Sequence, residues 1–184
     1  MSFFDIIDLK IKLEENAMKK LIVNQKLFSL SGSFWVTDEN ERECYQIKGS
    51  LFQVPKRFQI YDVLGNERAV ITHKVFSLLP KFFLSIDGKE QMTISKRFSL
   101  FKPKYDIESK NIEINGNIWD MNFEILKSNS PIGHVDKKWF SIRDKYMIVI
   151  DDDSTEENIL LVLGIVLAID YAKKMEESSS STAN

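Results

Sequence analysis

The chain has 184 residues, of which 43% are hydrophobic and 28% charged, a globular balance that excludes a largely disordered protein and suits one domain with a full core. A formal net charge of −2 excludes general nucleic-acid affinity, which depends on neutralising phosphates, and leaves a local basic patch open. The one cysteine, Cys44, excludes an internal disulfide and a cysteine-based zinc cluster within a single chain.

Residues 1–17 share none of the patterning that follows and read as an N-terminal extension. Asp5 and Asp8 interrupt its apolar residues and no small-residue cleavage site follows, so it is not read as a secretory signal and the expected location is cytoplasmic. Phe3, Ile6 and Ile7 can line one face of a short helix against the domain or a protein partner; a frayed leader is the alternative.

From Leu21 onward short apolar bursts are broken by turn signals, the pattern of an all-β sandwich or barrel. Hairpin turns are predicted at Asp38–Glu41, Leu64–Glu67 and Asp87–Glu90, and a two-residue turn at Asn115-Gly116 between Ile112–Ile114 and Ile118-Trp119. Trp119, Met121, Phe123 and Ile125 alternate with Asp120, Asn122 and Glu124, which predicts a half-buried strand over 119–125. A loose echo accompanies the turns: Lys26-Leu27-Phe28-Ser29-Leu30, Lys74-Val75-Phe76-Ser77-Leu78, Lys96-Arg97-Phe98-Ser99-Leu100 and Lys138-Trp139-Phe140-Ser141-Ile142. Its irregular spacing does not suit a solenoid or propeller, whereas a meander of about a dozen strands that closes around a helix does.

That helix is predicted at about 156–174. Ile159 to Ile169 carries no polar side chain, yet is too short to span a bilayer, which takes ~20 apolar residues. Being apolar on every face, it must be surrounded rather than flanked, with Leu163 at its centre. Ser154 and Glu157 are spaced as a capping box, and Lys173 and Lys174 suit the negative end of a helix. Gly164 costs ~1 kcal/mol against Ala in mid-helix, which predicts the close approach of an aromatic side chain from the wall. Asp170, directly after the apolar run, either fixes helix depth by bonding strand-end amides or a nearby Lys, or belongs to a ligand site. Residues 18–175 thus form one barrel domain, and the polar stretch 176–184 is expected to be a disordered tail.

The recurrent Phe-Ser-Leu units, the acidic turn at Asp151-Asp152-Asp153, and the apolar helix with its Leu167-Ala168-Ile169-Asp170 step make the chain resemble the LURP-one-related family of the tubby C-terminal-like superfamily, over roughly Met18 to Lys174. The resemblance implies a mainly β (α+β) fold: a twelve-stranded antiparallel closed barrel wrapped around a buried hydrophobic C-terminal helix. Tubby domains bind phosphoinositides, and the related phospholipid scramblases are lipid-linked and calcium-responsive, but fold does not carry function across such a group.

Candidate sites follow. Asp151 and Asp153 stand where scramblases are thought to hold calcium; an EF-hand loop begun at Asp151 fails, with Glu156 in the glycine place and Val162 in the glutamate place, and acidic residues before a helix also serve simply to cap it. Lys96, Arg97, Lys102, Lys104, Lys137 and Lys138 lie near turns or strand ends, where they can converge on an anionic phospholipid or phosphoinositide headgroup or serve as solvated strand edges. No catalytic signature and no cofactor motif is present, so the expectation is a non-enzymatic binding or adaptor module, peripheral to a membrane surface where it meets lipid; a protein-interaction domain without a small ligand is the alternative.

Overall fold

The computed structural model describes residues 18–24, 32–50, 54–97, 104–108, 111–118, 120–136, 145–151 and 154–181. Twelve strands precede one helix: β1 (Met18–Asn24), β2 (Ser33–Asp38), β3 (Glu43–Gly49), β4 (Arg57–Asp62), β5 (Glu67–His73), β6 (Lys81–Ile86), β7 (Lys89–Arg97), β8 (Lys104–Glu108), β9 (Ile112–Asn117), β10 (Asn122–Lys127), β11 (Ser130–Asp136), β12 (Lys145–Asp151) and α1 (Glu156–Ser181). All pairings are antiparallel, and the sheet order is β8-β7-β6-β5-β4-β3-β2-β1-β12-β11-β10-β9. The seam where first and last strands meet is the long ladder from Met18↔Asp151 to Asn24↔Lys145.

Strand alternation delivers the core. Phe34 and Val36 of β2, Phe58 and Ile60 of β4, Ala69 and Ile71 of β5, Phe82, Leu84 and Ile86 of β6, and Phe123 and Ile125 of β10 point inward and are buried, while their neighbours are not. They meet α1, in which Leu160, Val162, Leu163, Ile165, Val166, Leu167, Ala168 and Ile169 have no exposed surface. At ~1.5–3 kcal/mol for each large apolar side chain taken from water, this enclosure is the main source of the fold's stability.

Two glycines show that the sheet curls round the helix. A Cβ on Gly164 would stand 2.6 Å from Leu84 Cδ1 of β6, and one on Gly133 of β11 would stand 2.9 Å from Val162 Cγ2 of the helix. β6 and β11 lie far apart in the sheet order, so the helix is gripped from both walls. The wall residue at Gly164 is thus an aliphatic leucine, not the expected aromatic. The number of strands and the enclosed helix match expectation; closure does not follow from hydrogen bonds, because among the described residues no ladder joins the end strands β8 and β9.

Three local expectations shift. Asn115-Gly116 is not a turn but lies inside β9, where Gly116 (φ 119°) faces Phe123; a Cβ there would come within 2.8 Å of the Asn122 carbonyl oxygen. The chain turns instead at 118–121, with Met121 buried at φ 53°, so β10 starts at Asn122 rather than at Trp119, a residue outside the described ones. The helix cap is Thr155: its Oγ1 accepts from the Asn158 amide (3.3 Å), one residue on from the Ser154–Glu157 box. Finally, α1 continues through Ser181, so the polar stretch expected to be disordered is helical to that point. Once a buried stem supplies the nucleus, each added residue gains a backbone bond, and Ser178 and Ser179 Oγ donate back to the Met175 and Glu176 carbonyls (2.9 and 2.8 Å). Residues 1–17, expected as an extension, lie outside the described residues.

Filling the notch on the helix tests the grip from β6. Gly164→Val is expected to lower the unfolding free energy in urea by about 1–3 kcal/mol, since Leu84 must leave its place. Native stability in this variant would show that the two walls do not close on α1 here.

Candidate functional site

Because neighbouring strands run in opposite directions, connections after the odd-numbered strands leave one end of the curled sheet and those after the even-numbered strands leave the other. The helix starts after β12, at the even end, and its C-terminal half emerges at the odd end. The two ends are chemically different.

The even end is acidic and internally locked. In the β2–β3 turn Asp38 Oδ1 accepts from the amides of Asn40 and Arg42 (both 2.9 Å), and in the β4–β5 turn Asp62 Oδ1 accepts from those of Leu64 and Asn66 (2.9 and 2.8 Å). Bonds from Asn66, its side chain first, hold the Asp62 carboxyl below the usual carboxylate range. For Asp38 burial pushes upward, and the bonds from Arg42 and Asn40 outweigh it. Arg68, at the start of β5, donates from Nε to Asp87 of the β6–β7 turn (2.9 Å) and from Nη1 to Glu156 in the first turn of α1 (2.6 Å). The Arg68 bond is also the main reason the Asp87 carboxyl lies low. From the other wall, Lys127 Nζ reaches Glu157 Oε1 (3.1 Å) and Asn158 Oδ1 (2.9 Å). The tyrosine beneath this lid, Tyr45, is pushed up to about 12, first by burial and then by the charge of Glu156. These charges pin the helix N-terminus to both walls. Of the two candidate metal ligands, Asp151 is the last residue of β12 and Asp153 lies outside the described residues. Among the described residues no group of His, Cys, Asp and Glu is arranged to hold a metal ion.

The odd end is closed by an aromatic cluster. Tyr171 of α1 packs edge-on against Phe58, His73 and Phe82, with ring centroids 5.1, 6.0 and 6.2 Å away. Burial holds the His73 imidazole below its ordinary value and raises the Tyr171 hydroxyl above its own. Asp170, fully buried one residue earlier, pairs with Lys174 at 3.1 Å, a nearby lysine of the kind its position calls for. Leu163 and Gly164 lie deep in the core between helix and sheet.

Of the six basic residues singled out from the sequence, the three that are described lie at this end. Lys96 and Arg97 finish β7 and Lys104 begins β8. Lys102, Lys137 and Lys138 lie outside the described residues; in the chain they fall between β7 and β8 and between β11 and β12. The described rim adds Lys56 and Arg57 at the entry to β4, and Lys74 and Lys81 on either side of the β5–β6 connection. Lys56 Nζ donates to the Ser50 carbonyl, which ties down the β3–β4 connection, while Arg57 and Lys74 are exposed. The two connections are neighbours, joined by a bond from the His73 amide to the Lys56 carbonyl (2.9 Å). From Ser50 to Tyr61, from Ala69 to Ile86 and from Gln91 to Tyr105 the sequence has no Asp or Glu. Acidic residues return to this end on the β9–β12 side, with Asp120 and Asp136, and on the helix, with Glu176 and Glu177.

Sequence reasoning missed what stands beside these cations. Val54, Phe76 and Leu78 are 80%, 101% and 106% exposed, in the same two neighbouring connections. A signal was present in the Phe-Ser-Leu echo, all four copies of which fall after odd-numbered strands; the copies beginning at Lys26, Lys96 and Lys138 have their Phe-Ser parts outside the described residues. No helix among the described residues is long and apolar enough to cross a membrane.

Comparison with known proteins agrees with this architecture. A family model described as LURP-one-related matches residues 19–170. The uncharacterized protein YxjI of Bacillus subtilis (strain 168) is 31% identical over 163 residues, spanning 89% of this chain and 99% of that protein. The X-ray structure of an Arabidopsis thaliana protein superposes with a TM-score of 0.57 at 12% identity, covering 83% of this chain and 91% of that one, a likeness of fold.

The half-buried His73 makes the odd end sensitive to acid. Its folded value lies below the ordinary 6.5, so the unfolded chain takes up the proton first. Stability is therefore complete above that value and falls as pH drops from there through the folded value. Urea midpoints at about pH 7.5 and about pH 5.5 should differ less in His73→Gln than in the native chain, and an equal difference in both would assign the loss elsewhere.

Proposed function

We propose that this chain, which belongs to the LURP-one-related family, is a non-enzymatic binding module whose odd barrel end holds anionic phospholipid headgroups, phosphoinositides among them, at a cytoplasmic membrane surface. One observation carries the reading: three consecutive hairpin ends, after β3, β5 and β7, bear eight Lys and Arg within stretches that contain no acidic residue. In a protein whose net charge is −2, such segregation makes a local positive field that its overall charge conceals. Forked guanidiniums at Arg57 and Arg97 suit phosphate oxygens, and the lysines add point charges around them. At the acidic end, by contrast, Arg68 and Lys127 are spent on holding the helix.

Catalysis finds no comparable support. His73 is packed against Phe82 and Tyr171, and His134 sits within β11 opposite Val149. Neither belongs to a described nucleophile–base arrangement.

Co-sedimentation with phosphatidylcholine vesicles, with and without phosphatidylserine or a phosphoinositide, tests the reading. Binding should require the anionic lipid and weaken with added salt. A basic residue near an anionic surface is worth about 1 kcal/mol, so Lys96→Glu with Arg97→Glu should weaken binding by at least about 30-fold. No binding at low salt, or binding indifferent to both changes, would overturn the proposal.

A further inference from the structure

We infer that the β5–β6 connection, through Phe76 and Leu78 and assisted by Val54 of the neighbouring β3–β4 connection, inserts into the interfacial layer of an anionic bilayer and sets the odd end of the barrel face-down on the membrane. This rests on the headgroup reading above and adds the anchor and the orientation to it.

The residue itself makes the argument. Phe76 adopts φ 63°, a left-handed backbone that an aromatic residue seldom takes and that Asn or Gly fits better. It is also wholly exposed, so neither the local backbone nor packing within the fold calls for a phenylalanine there. Leu78, two residues on, is equally bare, and Val54 stands out from the next connection. A cluster of large apolar side chains in water marks a surface that meets something else. Strain held at a displayed side chain points the same way.

The surroundings choose the occupant. Lys74 and Lys81 flank Phe76 and Leu78 in the chain, Lys56 and Arg57 follow Val54, and neither connection holds an acidic residue. Apolar tips ringed by cations are complementary to a surface whose headgroups are negative and whose interior is hydrocarbon. The other exposed apolar pair among the described residues, Val63 and Leu64, shows the contrast: it sits in the β4–β5 turn at the acidic end, beside Asp62 and Glu67, where an anionic surface would be repelled.

The test places a reporter at each end of the full chain. Phe76→Trp and Leu64→Trp are mixed with phosphatidylcholine–phosphatidylserine vesicles whose acyl chains are brominated, and the quenching of the native chain's own tryptophans is subtracted. The inference expects quenching at position 76 and none at position 64. It also expects Phe76→Asn with Leu78→Ser, which places a better-suited residue in the left-handed position and so keeps the native melting temperature, to lose on the order of tenfold or more in vesicle binding at high salt. Native vesicle binding with no quenching at 76, or with quenching at 64 instead, would overturn the insertion while leaving headgroup binding in place. Failure of the native chain to bind the vesicles at all would remove both.

Discussion

The fold depends on one constraint: a helix that is apolar on every face cannot meet water on any of them. Ile159 to Ala172 is buried almost without interruption, and a single flat sheet could cover only one side of it. Twelve short strands, curled so that β6 and β11 press on the helix from different walls, provide the remaining cover. The rest follows from fitting this pair together. Gly164 and Gly133 remove a side chain where helix and wall would otherwise collide, and the Asp170–Lys174 pair lets a carboxylate enter the core without leaving the helix that carries it. Arg68 and Lys127 then fix the starting turn from opposite sides, so the helix is held both along its length and at its entry.

The same constraint sorts charge. A helix placed in a barrel presents its positive end to one opening and its negative end to the other. The entry turn carries Glu156 and Glu157, and the hairpins around it carry Asp38, Asp62 and Asp87, each held ionised by local hydrogen bonds. Among the described residues, the connections and strand ends at the opposite opening, from β3 through β8, carry Lys56, Arg57, Lys74, Lys81, Lys96, Arg97 and Lys104. Charges at the first end are engaged in holding the structure together. At the second, Arg57 and Lys74 face solvent beside apolar residues that the core does not use. An asymmetry of this kind separates the part of the surface that maintains the fold from the part on which the proposed headgroup reading rests.

Much of the fold is legible in the residues. Alternation in Ser33–Asp38, Lys81–Ile86 and Asn122–Lys127 reports which face is dry, and the unbroken apolar run reports that its enclosure is complete. Local rules failed where pairing overrode them. Asn115-Gly116 has the composition of a hairpin turn, but Gly116 is needed for the close approach of the β10 backbone, so the turn moves three residues on. The cap shifted from Ser154 to Thr155 because helix entry is set by tertiary anchors as well as by the capping pattern. Continuation of α1 into Glu176–Ser181 was hidden because composition alone does not show that a buried stem precedes it. The end proposed to meet the membrane was nearly legible. In an up-and-down meander the parity of the strand before a connection decides which end it occupies, and applying that parity to the basic pairs gathers them at once. What no parity rule supplies is exposure: Phe76 and Leu78 read as core residues until the strand between Glu67 and His73 is seen to end before them.

A rigid interior matters for a surface made of several weak elements. A lysine at a charged interface or a single apolar tip contributes little alone, and such contacts add only if they engage together. The helix packs against β4, β5 and β6 through Phe58, His73, Phe82 and Leu84, and Phe58, His73 and Phe82 stand next to the ends of the β3–β4 and β5–β6 connections. On the proposed reading, anchoring the strand ends in this way lowers the entropy that the connections would lose on meeting a surface. The central helix then serves the proposed headgroup site without touching the ligand, by holding the strands from which those connections leave.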